Sequence, residues 1–187
     1  MQAFDQVTLR TNRLFLRPLV ASDADSLFAV FSDPTVMRYW GTPPWSGVTK
    51  AQELIVNDLE DMLAGKLISL GIELLATSQL IGTCTLFRLM RECKRAEIGF
   101  GMSSSCWGNG YMHETLNALC AFGFQELGLN RIEADVDPRN LPSIKCLERL
   151  GFQKEGLLRE RWIVKGEVSD SYFYGLLRSD WPARKIL

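Results

Sequence analysis

The sequence CWGNGYMHE, residues 106–114, places two glycines one residue apart where a predicted strand gives way to a helix. Glycine at that point either gives a tight turn its backbone conformation or lets a ligand approach the main chain closely. The first N–H groups of a helix have no partner within the helix, so a helix start of this kind can bind a phosphate without a basic side chain. Taken alone, Gly108 and Gly110 leave both interpretations open.

The glycine pair does not match the common nucleotide-binding fingerprints. GNGYMH lacks the third glycine of GxGxxG, and it follows three predicted strands instead of the first strand of a βαβ unit. The chain also contains no GK[ST] sequence. A nucleotide-binding oxidoreductase is therefore the weakest interpretation of this motif.

Composition limits the class of protein. The 187 residues, 47% of them hydrophobic and 23% charged, predict one globular domain, or one domain with an appendage. Lysine and arginine (21) nearly balance aspartate and glutamate (22), which argues against a nucleic-acid-binding protein. No apolar run is long enough to cross a membrane, and no secretory signal is visible. Five scattered cysteines without a CxxC pair, with a single histidine, argue against a metal site and predict a cytoplasmic protein.

The hydrophobic pattern predicts a mixed α+β fold. Its order is a strand (7–19), two helices, three strands, a helix, a strand, a helix and a closing pair of strands, so about seven strands and about four helices. This order lacks the regular alternation of a doubly wound parallel sheet. In the strand RAEIGFGM, residues 95–102, Gly99 and Gly101 would normally cost stability, and close passage of a ligand would explain them.

Three segments together carry a family resemblance. EIGFGM, CWGNGYMHE and NRIEADVDPRNLPSIKCLERLGF, in this order and spacing, resemble the core of the GNAT superfamily of acyl-CoA-dependent N-acetyltransferases. The N-terminal sequence TNRLFLRPLVASDADSLFAVFSDPTVMRYW resembles the Rim branch, which includes the ribosomal-protein N-terminal acetyltransferases. The resemblance covers nearly the whole chain and implies a single GNAT domain over 1–187, with a mixed, mostly antiparallel central sheet flanked by helices. It also implies acetyl-CoA as co-substrate, no metal, and an amine as acceptor.

The resemblance assigns the binding of the co-substrate to particular residues. The pyrophosphate loop corresponds to 105–110, where Ser105 replaces the usual glutamine or arginine and main-chain donors remain. Met102 and Ser103 are expected to pair with the pantetheine arm like an added strand, and Asn140 to bond the amide region of the co-substrate. The main-chain donors for the phosphates are expected from six consecutive residues, namely Trp107, Gly108, Asn109, Gly110, Tyr111 and Met112.

Acetyl transfer needs a base for the amine and a hydrogen-bond donor for the thioester oxygen. Glu97, in the strand before the loop, is the candidate base, directly or through a water; its alternative role is a solvent-facing residue or an ion-pair partner of Arg95 or Arg131. A main-chain N–H near Met102 is the candidate oxyanion donor. His113 has a suitable ordinary pKa, but it lies inside the following helix and is expected to point away from the thioester.

The leaving thiolate needs an acid as well. Many GNAT members place a tyrosine seven residues after the conserved asparagine, and here that position is Leu147. Ser143 is the substitute that this branch implies, and it is also expected beside the co-substrate. Its alternative role is to cap the helix, which Asn140 can do instead. A covalent route through Cys146 lacks an evident basic partner.

Tyr39 and Trp40, in the loop 34–48, are expected to line the acceptor pocket, the alternative being that they are buried anchors. We therefore predict transfer of an acetyl group from acetyl-CoA to a primary amine by direct attack in a ternary complex. The acceptor is a protein N-terminal residue or a small amine. The missing tyrosine keeps a non-catalytic acyl-CoA-binding module as the alternative, and a homodimer stays open.

Overall fold

The computed structural model describes residues 3–181. The strands of the sheet are β1 (Leu9–Arg10), β2 (Leu14–Arg17), β3 (Ile68–Leu74), β4 (Leu80–Met90), β5 (Arg95–Met102), β6 (Arg131–Val136), β7 (Gln153–Val164) and β8 (Glu167–Leu177). The α-helices are α1 (Ala24–Phe31), α2 (Pro34–Met37), α3 (Thr49–Leu63), α4 (Tyr111–Gln125) and α5 (Leu141–Arg149). All eight strands form one sheet in the order β1-β2-β3-β4-β5-β6-β8-β7.

The predicted mixed, mostly antiparallel architecture is confirmed, with one strand more than expected. The extra strand arises within 7–19, where the prediction of a single strand is wrong. Leu14 donates its N–H to the Thr11 hydroxyl at 3.0 Å, and Thr11 donates its own N–H to the carbonyl of Leu14 at 3.0 Å. These bonds turn the chain back on itself, so Leu9 pairs with Leu16 in a short hairpin.

The parallel pair β5–β6 creates a gap in the sheet. Its register covers only Arg95–Glu97 against Arg131–Glu133. Beyond those three pairs, β5 continues along β4 as far as Met102, whereas β6 continues along β8 as far as Val136. The two strands therefore part in the middle of the sheet, and unpaired main chain of β5 and β6 lines the opening.

Two hydrophobic clusters cover the faces of the sheet. Neighbouring residues of β4 alternate between them, Ile81 belonging to the larger cluster with Leu116 and Phe124 of α4, and Leu80 to the smaller one. The smaller cluster contains Phe31 at the end of α1 and residues of α3. The larger cluster includes Ile98 of β5 and Ala134 of β6, directly beside the gap between these two strands. No helix within residues 3–181 is long and apolar enough to span a bilayer.

The two glycines of β5 make room for aromatic rings. A Cβ at Gly101 would lie 2.8 Å from the Trp40 ring and 2.9 Å from the Phe31 ring. A Cβ at Gly99 would lie 3.3 Å from the ring of Phe87. Aromatic rings thus pack on both glycines, and both glycines also border open cavities, so packing is a second reason for glycine beside the expected passage of a ligand.

Candidate active site

Two cavities meet at the gap between β5 and β6. The large cavity has a volume of about 920 Å³ and extends to the start of α4. The small cavity has a volume of about 400 Å³ and extends between Phe87, Glu97 and Trp162. Five residues line both cavities and so mark the place where they join: Tyr39, Trp40, Phe100, Asn140 and Ser143.

The turn before α4 explains the glycine pair. Gly108 and Gly110 have φ angles of +79° and +78°, in the left-handed region that favours glycine. Gly110 is the N-cap of α4, and no side chain caps the helix start. The N–H groups of the first turn, at Tyr111 and Met112, therefore have no partner within the helix, and both residues line the large cavity. The turn needs glycine for its own geometry, and it presents open donors to a cavity.

Arg13, in the turn between β1 and β2, holds this loop in place. Its guanidinium donates to the main-chain oxygen of Asn109 at 3.0 Å and to Glu114 at 2.7 Å. It also lies over the Tyr111 ring, 4.5 Å from the centroid. Burial raises the pKa of Glu114, but hydrogen bonds from Thr11 and Arg13 outweigh burial and keep that pKa below its ordinary value. A stable ion pair thus fixes the first turn of α4.

Two residues expected to bind the co-substrate do not line the large cavity. Asn109 donates its side-chain amide to the carbonyl oxygens of Cys106 and Trp107, at 3.2 and 3.1 Å. Ser103 donates its N–H to the carbonyl of Ile81 at 2.8 Å, toward β4 and away from the gap. Both residues shape the loop from outside the cavity wall. The other predicted co-substrate residues line the large cavity: Met102, Trp107, Gly108, Gly110, Tyr111, Met112, Asn140 and Ser143.

Main-chain groups of β5 face the gap. Because the Ser103 N–H points to β4 and peptide groups alternate along a strand, those of Phe100 and Met102 point to the opposite side, where β6 has diverged. The Met102 carbonyl accepts a hydrogen bond from the Trp107 indole at 2.9 Å. Phe100 and Met102 are therefore the residues of β5 that could offer main-chain N–H groups to a ligand in the gap.

Glu97 lies in the wall of the small cavity. The residue is only 8% exposed, and its carboxylate accepts a hydrogen bond from the Arg88 guanidinium at 2.7 Å. The predicted ion-pair alternatives, Arg95 and Arg131, bind Glu133 instead. Glu97 therefore has an ion-pair partner that the sequence did not identify, and at the same time faces a cavity.

Asn140 and Ser143 occupy the start of α5. The Asn140 side chain accepts the Ser143 N–H at 3.3 Å, so Asn140 is the capping residue of this helix. Ser143 does not act as the cap, and its side chain lines both cavities. Leu147, one turn further, is buried and contributes an apolar wall to the small cavity.

Tyr39 and Trp40 are both anchors and cavity walls. The Trp40 ring packs edge-on against Phe31 at a centroid separation of 5.1 Å. Tyr39 lies between two guanidinium groups, those of Arg38 and Arg139, at 5.5 and 5.7 Å from its ring centroid. Both aromatic residues are partly exposed and line both cavities. Both residues thus pack on neighbouring side chains and also line cavities, and their contact with an acceptor stays a prediction.

The β7–β8 hairpin is tied to the mouth of the site. Glu167 pairs with Arg139 at 2.7 Å and with Arg38 at 3.2 Å. The Arg139 guanidinium and then that of Arg38 lower the pKa of Glu167. A Cβ at Gly41 would lie 2.9 Å from the Trp162 ring, so this ring packs directly on the loop after α2. These contacts join three segments that are distant in sequence.

The two cavities differ in charge. Four cationic side chains and no carboxylate of the described residues line the large cavity: Arg38, Arg139, Lys145 and Arg149. Three carboxylates and one arginine line the small cavity: Glu97, Asp135, Asp137 and Arg88. Asp135 and Asp137 have their own arginine partners, Arg161 and Arg139, which lie outside the small cavity. All three carboxylates of the small cavity are thus paired with arginines, and Arg38 and Arg139 of the large cavity are paired with carboxylates.

His113 and Cys146 are two further residues for which the sequence suggests a chemical role. His113 lines the large cavity and not the small one. Cys146 also lines the large cavity, and burial raises the pKa of its thiol to about 11. The thiol is therefore protonated near neutral pH and is a weak nucleophile. Within residues 3–181, no group of three or more His, Cys, Asp or Glu side chains could hold a metal ion.

The sequence from 13 to 153 matches the acetyltransferase (GNAT) domain family, and the chain therefore belongs to the GNAT acetyltransferases. It is 42% identical over 176 residues to the uncharacterized N-acetyltransferase p20 of Bacillus licheniformis, covering 93% of this chain and 98% of that protein. Among solved structures, RimJ of Mycobacterium smegmatis in complex with CoA-disulfide is similar with a TM-score of 0.80 and 25% identity, covering 90% of this chain and 84% of RimJ. Ribosomal-protein-S5-alanine acetyltransferase of Vibrio fischeri shares the fold with a TM-score of 0.83, at 22% identity and covering 94% and 99%.

The predicted family and class of enzyme are thereby confirmed. The chain is an acetyl-CoA:amine N-acetyltransferase, and its structural relatives include ribosomal-protein acetyltransferases. The name of the Bacillus licheniformis relative indicates an enzyme and not a binding module without catalysis.

Proposed function

We propose that the large cavity binds acetyl-CoA and that the small cavity binds the acceptor amine. The observation that carries this assignment is the lining of two cavities that share five wall residues: open main-chain N–H groups at the start of α4 and cationic side chains line the large one, and the Glu97 carboxylate lines the small one. Coenzyme A is a polyanion through its phosphates, whereas a primary amine is a cation until it loses a proton. Each substrate is thus attracted to one side of the junction, and the two can meet there.

The described residues fit this co-substrate. The open N–H groups at Tyr111 and Met112 suit a pyrophosphate, because a helix start favours negative charge. The peptide groups of Phe100 and Met102 suit the amides of the pantetheine arm, which would add to β5 like a further strand. The polar groups along the cavity therefore run from main-chain phosphate donors at one end to the Ser143 hydroxyl at the other.

The proposed reaction is direct attack of the amine on the thioester. Glu97 accepts the amine proton, directly or through a water, and the neutral nitrogen bonds to the carbonyl carbon. A main-chain N–H of β5 near Met102 stabilises the negative charge that develops on the carbonyl oxygen. The carbon–sulfur bond then breaks, the second proton lost by the nitrogen passes to the leaving sulfur to give the thiol, and the Ser143 hydroxyl donates a hydrogen bond to that sulfur. Cys146 takes no part, since its thiol remains protonated.

The acceptor class follows from the small cavity. The Glu97 carboxylate in its wall suits an acceptor that arrives as an ammonium ion, and Tyr39 and Trp162 provide aromatic surface for the group that bears it. We propose a primary amine, either a protein N-terminal residue or a small molecule. All five cysteines are free thiols in the structure, which supports a cytoplasmic setting. The single-domain organisation and dimerisation stay predictions.

The test is turnover of the purified full chain with acetyl-CoA. A pool of small amines and a pool of N-terminal peptides are supplied separately, and released thiol and acetylated product are measured. We expect stoichiometric thiol and N-acetyl product with at least one pool, and no acetylated enzyme. Coenzyme A binding without thiol release from any acceptor would refute the enzymatic proposal. A burst of thiol with a stable acetyl-enzyme would refute direct attack.

A further inference from the structure

Helix α5 presents two cations to the large cavity. Lys145 and Arg149 are four residues apart and therefore lie on the same face of the helix. Both side chains are in exposed positions and both line the cavity that extends to the start of α4. Neither residue has a role in the chemistry proposed above.

These two cations differ from the other cations of the cavity. Arg38 pairs with Glu167, and Arg139 pairs with both Asp137 and Glu167. Over residues 3–181, by contrast, no ion pair includes Lys145 or Arg149. Because the cavity wall holds no carboxylate, their charge remains available to an anion that enters it.

The position of the pair along α5 indicates which part of a ligand it meets. Ser143, at the first turn, marks the junction of the two cavities. Arg149 is six residues further on, roughly 9 Å along the helix axis at the usual rise per residue. Helix α5 therefore runs from the reacting end of the cavity toward a more distant end, and the cations lie on its distant part.

We propose that Lys145 and Arg149 bind the 3′-phosphate on the ribose of coenzyme A. This inference rests on the proposed placement of acetyl-CoA in the large cavity. The start of α4 supplies main-chain donors for the pyrophosphate, but these donors cannot also satisfy a second, separate phosphate. A phosphate monoester carries close to two negative charges near neutral pH, and a lysine with an arginine is the pair of side chains suited to it.

The test compares coenzyme A with dephospho-coenzyme A, which lacks only the 3′-phosphate. Dissociation constants are measured by calorimetry for the wild type, Lys145→Ala, Arg149→Ala and the double variant. We expect the wild type to bind coenzyme A about tenfold more tightly than dephospho-coenzyme A, since charge-assisted bonds to phosphate are strong. The double variant should bind the two ligands within about twofold of each other, through loss of affinity for coenzyme A alone.

The control is Arg159→Ala, which removes an exposed arginine of β7 that lines neither cavity. It should keep the wild-type preference, and thermal unfolding shows whether each variant is folded. If the double variant loses the same affinity for coenzyme A as for dephospho-coenzyme A, the cations bind the pyrophosphate instead, and the proposal is overturned. Unchanged binding of both would also overturn it. If either of these results is found while the wild type still turns over acetyl-CoA, only the proposal for Lys145 and Arg149 fails and the proposed function stands. If the wild type binds neither coenzyme A nor dephospho-coenzyme A, both the proposed function and this inference are refuted.

Discussion

Glu97 and Glu133 are register partners in the parallel pair of β5 and β6, yet only Glu97 lines a cavity. Glu133 is enclosed by ion pairs to Arg95 and Arg131. Glu97 is held by Arg88 alone among the described ion pairs. The last pair of residues before the strands part therefore contains one carboxylate bound within the protein and one that a substrate can reach.

The first prediction concerns the base. Glu97→Gln keeps the size of the side chain and an acceptor for Arg88, but it cannot take a proton. We expect kcat to fall about 100-fold, the usual contribution of a positioned base, because the amine must then lose its proton to solvent. The KM for acetyl-CoA should stay within about twofold, since Glu97 does not line the large cavity. Steady-state thiol release measures both constants.

The matched control for this variant is Glu133→Gln. It should lower the free energy of unfolding by about 2 kcal/mol, since it disrupts a buried ion-pair cluster. Its kcat should change by no more than about twofold. A similar fall in kcat in the two variants would indicate a structural effect, and a Glu97→Gln enzyme with wild-type kcat would exclude Glu97 as the base.

The second prediction concerns Ser143. Because Asn140 caps α5, replacing the serine hydroxyl should leave the helix intact. Ser143→Ala should lower kcat about tenfold through loss of a hydrogen bond to the leaving sulfur, with coenzyme A affinity within about threefold of wild type. Stopped-flow thiol release and calorimetry separate the two quantities. The control is Ser179→Ala, because Ser179 lines neither cavity.

Full activity in Ser143→Ala would contradict the role of its hydroxyl as the donor to sulfur. A loss of coenzyme A affinity as large as the loss of kcat would instead make Ser143 a binding residue. Because the Asn140 side chain already caps α5, Ser143→Ala should leave the free energy of unfolding unchanged in either case.

The third prediction concerns the helix start. Gly110→Glu places a carboxylate at the open N–H groups of α4, and we expect coenzyme A affinity to fall more than about 100-fold through repulsion of its phosphates. Gly128→Glu is the control, because Gly128 also has a positive φ, +65°, and lies beyond the other end of α4. Both substitutions impose similar backbone strain, so calorimetry of the pair isolates the effect of position. Comparable coenzyme A binding in the two variants would refute the placement of the phosphates.

The fourth prediction is a pH dependence of stability at Asp23. Burial raises the pKa of Asp23, but hydrogen bonds from Arg17 and from the Val20 N–H outweigh burial and hold the pKa below its ordinary value. A lowered native pKa adds stability above the unfolded-state pKa, about 3.9, and this stability is lost as the pH falls through the native value. Asp23→Asn should cost about 2 kcal/mol at pH 7.

Urea unfolding at several pH values tests this expectation. The difference between wild type and Asp23→Asn should shrink steadily below about pH 4. Asp25→Asn, at a neighbouring exposed position at the start of α1, should change stability by less than about 0.5 kcal/mol at every pH. A constant difference between pH 7 and pH 3 would show that charge on Asp23 does not stabilise the fold.

The residues that the sequence could predict are those that belong to local patterns. Gly108 and Gly110 mark a helix start, and Asn140 three residues before Ser143 marks a cap, because these functions depend on neighbours along the chain. Glu97 could be placed beside the gap because it lies on the strand that leads into the glycine turn. The family resemblance then joined these segments, and the structure brings most of them to two adjoining cavities.

The residues that the sequence could not predict depend on contacts between distant segments. Arg13 and Glu114 are 101 residues apart, and no local pattern links them. Arg38 and Glu167 are 129 residues apart. The packing of a ring on Gly101 could not be predicted for the same reason, since that ring belongs to Trp40 in another loop. Each of these contacts depends on tertiary packing, and a pattern along the sequence does not contain that information.

The five residues that line both cavities have a thermodynamic consequence. Tyr39, Trp40, Phe100, Asn140 and Ser143 form a common wall, so a shift in any of them on binding the first substrate alters the space offered to the second. Linkage requires that such an effect be mutual, with acetyl-CoA changing the affinity for the amine by the same factor as the amine changes that for acetyl-CoA. With the substrates placed as proposed, the shared residues at the junction couple the binding of acetyl-CoA to that of the amine.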